Sequence, residues 1–185
     1  MAKEYMIWMD LEFTGLDPLV NSILEIACVI TDDDLNIVDE GLDIVIHQEE
    51  SKLSNMDAWN TEHHRKSGLL EKVRESNESH HSAEEKILQL IKNYCKEGKG
   101  LLCGNSIHMD RFFIMRHMPG LDKYLHYRLI DVSTLKELCR IWRPDIPEFK
   151  KKKSHRSMDD IRESIEELKH IRKNFIQAEL NDHAE

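Results

Sequence analysis

No apolar run in the 185 residues approaches the ~20 residues of a membrane span, so an integral membrane protein is not expected. Cysteine is sparse. Cys28, Cys95, Cys103 and Cys139 are scattered, and no two form a C-x-x-C pair. That argues against a zinc site or a disulfide framework and for free thiols. Positive charge is also short: 26 Lys and Arg stand against 35 Asp and Glu, for a net charge of −9. Binding long nucleic acid needs many basic contacts to phosphates, and the chain has no basic stripe of that extent. A nucleic-acid ligand is therefore expected to present few phosphates at once, with bound cations supplying much of the missing positive charge. Internal repeats and low-complexity segments are absent. The first strand pattern begins at about residue 5, which leaves no room for a signal peptide, and a cytoplasmic location is expected.

With 40% hydrophobic and 33% charged residues, the chain has the composition of a globular protein. Its length suits one domain, expected over residues 1–176, with a polar, frayed tail at 177–185.

Met6-Ile7-Trp8-Met9 reads as a central strand over residues 5–10, closed by the turn Thr14-Gly15-Leu16-Asp17-Pro18. Strands follow at 23–30 and 37–46, with a hairpin signal at Asp32-Asp33-Asp34-Leu35-Asn36. Helices are expected over 56–64 with Ser54 or Asn55 as cap, from the break at Ser67-Gly68 to about Ser76, and from a Ser82 cap through Tyr94. A short strand at 101–104 leads to a helix over 108–118, stopped by Pro119-Gly120. A strand at 127–130, a helix at 133–142, a loop at 144–154 and a last helix at 157–176 complete the order. This is an α/β plan, a three-stranded antiparallel meander followed by strands joined through crossover helices.

Carboxylates fall where these elements switch. Asp10 and Glu12 are two apart at the end of strand one and share a face. Asp110 lies in the first turn of the helix after strand four, and Asp160 lies near the start of the last helix. Each acid alone is what a turn or a helix N-terminus commonly carries. If strand one is central and the last helix packs over its end, the four converge. Four carboxylates suit two hard divalent cations such as Mg²⁺ or Mn²⁺. Two such ions about 4 Å apart suit displacement at phosphorus, one activating water and the other stabilising the leaving 3′ oxygen. His155, five residues before Asp160, has a reference pKa near ~6.5 and suits a general base.

D-x-E on strand one, a mid-chain Asp and H-x4-D near the C-terminus resemble the DEDDh family of 3′-to-5′ exonucleases. The likeness extends over Trp8 to Asp17, Gly104-Asn105-Ser106-Ile107-His108-Met109-Asp110, His126 to Thr134 and Ser154-His155-Arg156 with Asp159-Asp160-Ile161. Phe13 stands where the family commonly has Met, and Ser157-Met158 where it commonly has Ala-Leu. Neither change falls on a ligand. The resemblance implies an RNase H-like fold with a central mixed five-stranded sheet flanked by helices. It implies a homodimer that removes nucleoside 5′-monophosphates from oligoribonucleotides of two to about five residues, dinucleotides preferred. It implies Asp10, Glu12, Asp110 and Asp160 as metal ligands and His155 as base. It further implies Leu16 as a wedge between the bases, and Trp59 and His64 lining the base and phosphate site. Ser106, Arg128 and Ser133 would cap the 5′ phosphate, with Tyr127 supplied by the partner subunit.

The residues give partial support of their own. Leu16 is apolar in a polar turn, Trp59 among polar neighbours suits base stacking, and Arg128 suits bidentate phosphate contact. The bland alternatives are loop packing, a helix anchor and a solvated charge. The histidine pairs 63–64 and 80–81 do not mark a zinc site. Lys150–Lys153 reads as a solvated loop, with steering of anions towards His155 as the second reading. Glu25 interrupts an apolar strand without an evident reason. Two other functions fit the pattern less well, a DNA proofreading or repair exonuclease and an RNA-binding module that lost catalysis.

Overall fold

The computed structural model describes residues 5–150 and 156–176. A five-stranded sheet has the order β3-β2-β1-β4-β5. β1 (Tyr5–Phe13), β2 (Ile23–Asp32) and β3 (Ile37–Val45) form the antiparallel meander, while β4 (Leu101–Gly104) and β5 (Leu129–Asp131) are parallel to β1. The expected mixed sheet with strand one at its centre is what forms.

β1 runs three residues beyond the strand expected over 5–10. Pairing with β2 carries it through Glu12↔Glu25 to Phe13↔Ile23, with an irregularity in register between Glu12 and Phe13. Such a break in the ladder bends the strand and re-aims the side chains beside it. The two faces of the sheet separate by the period of two. Ile7, Met9 and Leu11 pack with Ala83, Ile87 and Ile91 of α4 (His80–Lys92) and with Phe113 and Ile114 of α5 (His108–His117). Trp8 points the other way, with Ala27 and Val29, into a cluster with Ile161, Ile165, Leu168 and Ile171 of α8 (Ser157–Ile171). Asp10 and Glu12 continue the Trp8 face, so α8 lies over them.

The smaller elements differ from expectation in instructive ways. The polar connection after β3 holds a helical turn, α1 (Glu50–Leu53), placed by burial of Leu53. Asp57, not Ser54 or Asn55, caps α2 (Ala58–Lys66) by accepting from the Asn60 N–H. α3 (Leu69–Glu75) buries Leu69, Leu70 and Val73. Ser79, not Ser82, caps α4; Ser82 sits three residues on and completes a reciprocal capping box. Pro119 stops α5 but opens α6 (Pro119–Tyr124), as proline is favoured at the first helical position. β5 begins two residues later than expected, and α7 (Val132–Trp142) follows it directly. The last helix ends as regular α at Ile171 and runs on as a wider π-type turn, Arg172–Ile176.

Gly104 closes β4 where no side chain would fit. A Cβ there would lie 2.9 Å from the Met9 carbonyl and 2.8 Å from Ile107 Cδ1. That close approach sets the start of α5 against the end of β1. Phe13 stacked on Phe113 at 3.9 Å ties the two together again.

Candidate active site

The C-terminal end of β1 gathers the acids. Oxygen atoms of Asp10, Glu12 and Asp160 all lie within 4.8 Å of one another. Asp110, 6% exposed, comes from the first turn of α5. Its Oδ1 accepts a hydrogen bond from the Leu11 N–H at 2.9 Å, which fixes it against β1 at the residue between Asp10 and Glu12. His155 lies outside the described residues, as do Lys151–Lys153 and the 177–185 tail.

The electrostatics of Glu12 and Asp110 are those of crowded, buried carboxylates. Glu12 is pushed up from 4.5 to about 8, first by burial and then by the charges of Asp10, Glu25 and Asp160. Asp110 lies well above the usual carboxylate range, again through burial first and then through Asp10. Carboxylates desolvated against each other prefer to hold protons. An all-oxygen donor set with this repulsion fits hard divalent cations, which relieve the repulsion and desolvation together.

His64, on α2, is buried, with a side-chain exposure of 2%. Its Nε2–H donates to the Phe13 carbonyl at 2.8 Å, so Nδ1 carries the lone pair. Nδ1 has no hydrogen-bond partner among the described residues and faces Glu12 Oε2 at 3.9 Å. Burial pushes the His64 pKa down and keeps the ring neutral. The neighbouring His63 stacks nearly parallel on Trp59, centroids 4.8 Å apart. Ligand atoms of Glu12, His63 and His64 also lie within 4.8 Å of one another, an approach that the His-His dipeptide does not announce. Trp59 is 70% exposed and Leu16 is 72% exposed. Large apolar groups held in water beside a polar site are available to a ligand.

A second polar group forms where β4 and β5 end. Ser106 has a left-handed backbone, φ 49°, which turns its N–H towards Asp131 Oδ1 at 2.9 Å and Ser133 Oγ at 3.0 Å. The Ser133 hydroxyl donates to Asn105 Oδ1, and the Asn105 amide donates to Ser164 Oγ and Glu167 Oε2. The two serine hydroxyl oxygens are 3.3 Å apart. A groove of about 830 Å³ runs from them along α7 to Phe149 and His170. Ser106 and Ser133 are thus brought together as expected. Tyr127 and Arg128 pair instead with each other, the guanidinium 5.3 Å from the ring centroid. Both are exposed, and Arg128 has no carboxylate partner among the described residues.

Three participants have no role assigned from the sequence, although Asn105 and Arg156 lie within its motif stretches. Asn105 and Glu167 order the serine pair, and Arg156 meets Glu25 beside Glu12 at 2.9 Å. Only the apolar setting of Glu25 hinted at the last.

A family model described as "Exonuclease" matches residues 7–168. The oligoribonuclease of Vibrio cholerae serotype O1 is 52% identical over 173 residues, 93% of this chain and 96% of the relative. That of Klebsiella pneumoniae subsp. pneumoniae is 49% identical over the same shares. Among solved structures, E. coli exonuclease I in complex with a 5cy-dT13 oligonucleotide is similar in fold, with a TM-score of 0.75 at 14% identity. The likeness covers 95% of this chain and 42% of that longer protein.

Proposed function

Because the chain belongs to the exonuclease family and, within it, to the oligoribonucleases, it is a 3′-to-5′ exoribonuclease, and we propose that its substrates are RNAs of two to about five residues, dinucleotides first. The observation that carries the catalytic part of this reading is the convergence of Asp10, Glu12 and Asp160, with Asp110 tethered to the Leu11 amide. In this reading these four acids hold two divalent cations, Mg²⁺ or Mn²⁺. Bound there, the cations supply Lewis acidity at the scissile phosphate and lower the pKa of the attacking water. His155 takes the proton from that water at a ring nitrogen. The water oxygen joins phosphorus, the bond to the 3′ oxygen breaks, that oxygen takes up a proton from solvent, and a nucleoside 5′-monophosphate leaves.

The rest of the site selects the substrate. Trp59 stacks on a base and Leu16 separates the two bases. Neutral His64, with its acceptor Nδ1 beside Glu12, receives a sugar hydroxyl of the terminal nucleotide. Ser106, Ser133 and Arg128 take the 5′ phosphate, and that cap limits length, because a longer strand has nowhere to continue. Few phosphates are then held, which agrees with the net charge of −9.

The same reading makes the active form a homodimer, with Tyr127 reaching the partner's site. Exposed Phe112, Met115, Tyr127, Ile141 and Trp142 support an apolar contact surface. Four free cysteines support a reducing compartment, and we assign the protein to the cytoplasm. Among the described residues no helix is long and apolar enough to cross a membrane.

The deciding experiment is product analysis on 5′-phosphorylated RNA from the dinucleotide to about the heptanucleotide, with and without EDTA. A steep fall in rate with length, abolished by EDTA, is expected. Equal rates at all lengths would overturn the short-substrate reading.

A further inference from the structure

Glu25 is a charged residue in the middle of a fully buried strand, itself 0% exposed. It stands directly opposite Glu12 in the β1–β2 ladder, on the face that α8 covers. Like charges opposed across a ladder are destabilising. Arg156 answers them: its guanidinium donates to Glu25 Oε1 at 2.9 Å and lies 3.7 Å from Asp43 Oδ2. Arg156 is also the N-cap of α8, and its carbonyl accepts the first helical hydrogen bond from the Asp160 N–H at 2.9 Å. One residue thus holds the sheet beside Glu12 with its side chain and the backbone of Asp160 with its carbonyl. One turn further on, the Ser164 hydroxyl donates to the Asp160 carbonyl, and the Asn105 amide in turn donates to Ser164.

An ion pair with one partner fully buried contributes little or nothing to stability compared with apolar residues of the same volume. Its value lies elsewhere. We propose that Glu25 and Arg156 are positioning residues of the carboxylate site: their ion pair pins the first turn of α8 to β2 beside Glu12, and so sets Asp160 against Asp10 and Glu12. This rests on the metal-site reading above and adds that the site's geometry is set by a clamp that touches no substrate.

The clamp and simple electrostatics disagree in sign for one substitution. Arg156→Gln removes a positive charge near the acids, which by charge alone tightens cation binding. The clamp requires it to loosen binding. Metal-free protein is titrated with Mn²⁺, and free ion is followed by its electron paramagnetic resonance signal. R156Q, E25Q, the double variant and D10A are compared, with circular dichroism as the check of folding. R156Q and E25Q are each expected to weaken Mn²⁺ binding by about 10-fold or more, the usual cost of losing an outer-shell partner. The double variant is expected to be no weaker than either single one, and the KM for a dinucleotide in excess Mn²⁺ to stay unchanged. R156K, which keeps the charge, is expected to recover part of the loss. Mn²⁺ binding by folded R156Q as tight as wild type, or tighter, overturns the clamp. If E25Q does not fold, R156Q, whose guanidinium is partly in solvent, decides alone. The D10A arm separates the two failures: D10A binding Mn²⁺ like wild type overturns the metal-site reading itself.

Discussion

The two polar regions at the C-terminal ends of the parallel strands are built on opposite terms. At the end of β1, carboxylates press together, and Glu12 is driven to about 8. At the ends of β4 and β5, Asn105, Ser106, Asp131 and Ser133 hydrogen-bond one another in a connected row. The first region is crowded with like groups, and in the reading proposed above divalent cations complete it. The second is already ordered and has only to receive. Such a division suits the proposed chemistry, which needs a cofactor, and the proposed length selection, which needs a fixed wall.

The comparison can be broken most sharply at Asp10. Asp10→Ala is expected to cut hydrolysis of a 5′-phosphorylated diribonucleotide at least about a thousandfold, the range of a lost metal site. Thermal melts of the metal-free variant are expected to hold or rise, since one repelling charge is gone. A large loss of stability would mean that the acids are structural.

The pH dependence comes next. A Glu12 pKa raised from 4.5 to about 8 on folding makes the folded state the better proton binder between those values. Its contribution to stability is therefore full below about 4.5 and lost as pH rises through about 8. Metal-free melting temperatures should show that loss, Glu12→Gln should flatten it, and the stabilisation by Mn²⁺ should be larger at pH 8 than at pH 6. An equal Mn²⁺ shift at both pH values would remove the crowding argument.

The ordered region predicts a smaller, more selective effect. Ser133→Ala should lower kcat/KM about tenfold on a 5′-phosphorylated dinucleotide, the worth of one hydrogen bond to a charged group, and leave one without the 5′ phosphate unaffected. Equal losses on both substrates would show that Ser133 does not read the phosphate. The least effect is expected at Leu16→Ala, a fewfold rise in KM from lost contact with the bases.

Much of this was legible in the chain, for identifiable reasons. Period two makes Asp10 and Glu12 neighbours whatever else happens, and strand order alone puts β1 at the centre. Asp110 follows, because the helix after β4 starts at the end of the sheet where β1 ends, whereas Asp160 depends on α8, which follows α7, packing back over that end. What sequence could not supply were contacts between distant segments. Glu25 meets Arg156 across 131 residues, and His64 meets Phe13 across 51. Neither pair has a local signature. Pro119 shows a different gap: the same residue ends one helix and begins another, and the sequence reading assigned it only the ending.

The hydrogen bond from the Leu11 amide to Asp110 spans 99 residues. Synthesis runs from the N-terminus, so β1 leaves the ribosome early with its own two acids and none of their companions. Asp110 follows 99 residues after Leu11, and Asp160 with its helix 50 residues after Asp110. The four acids therefore come together only once α8 has been made and packed, and a chain shorter than that lacks part of the carboxylate set.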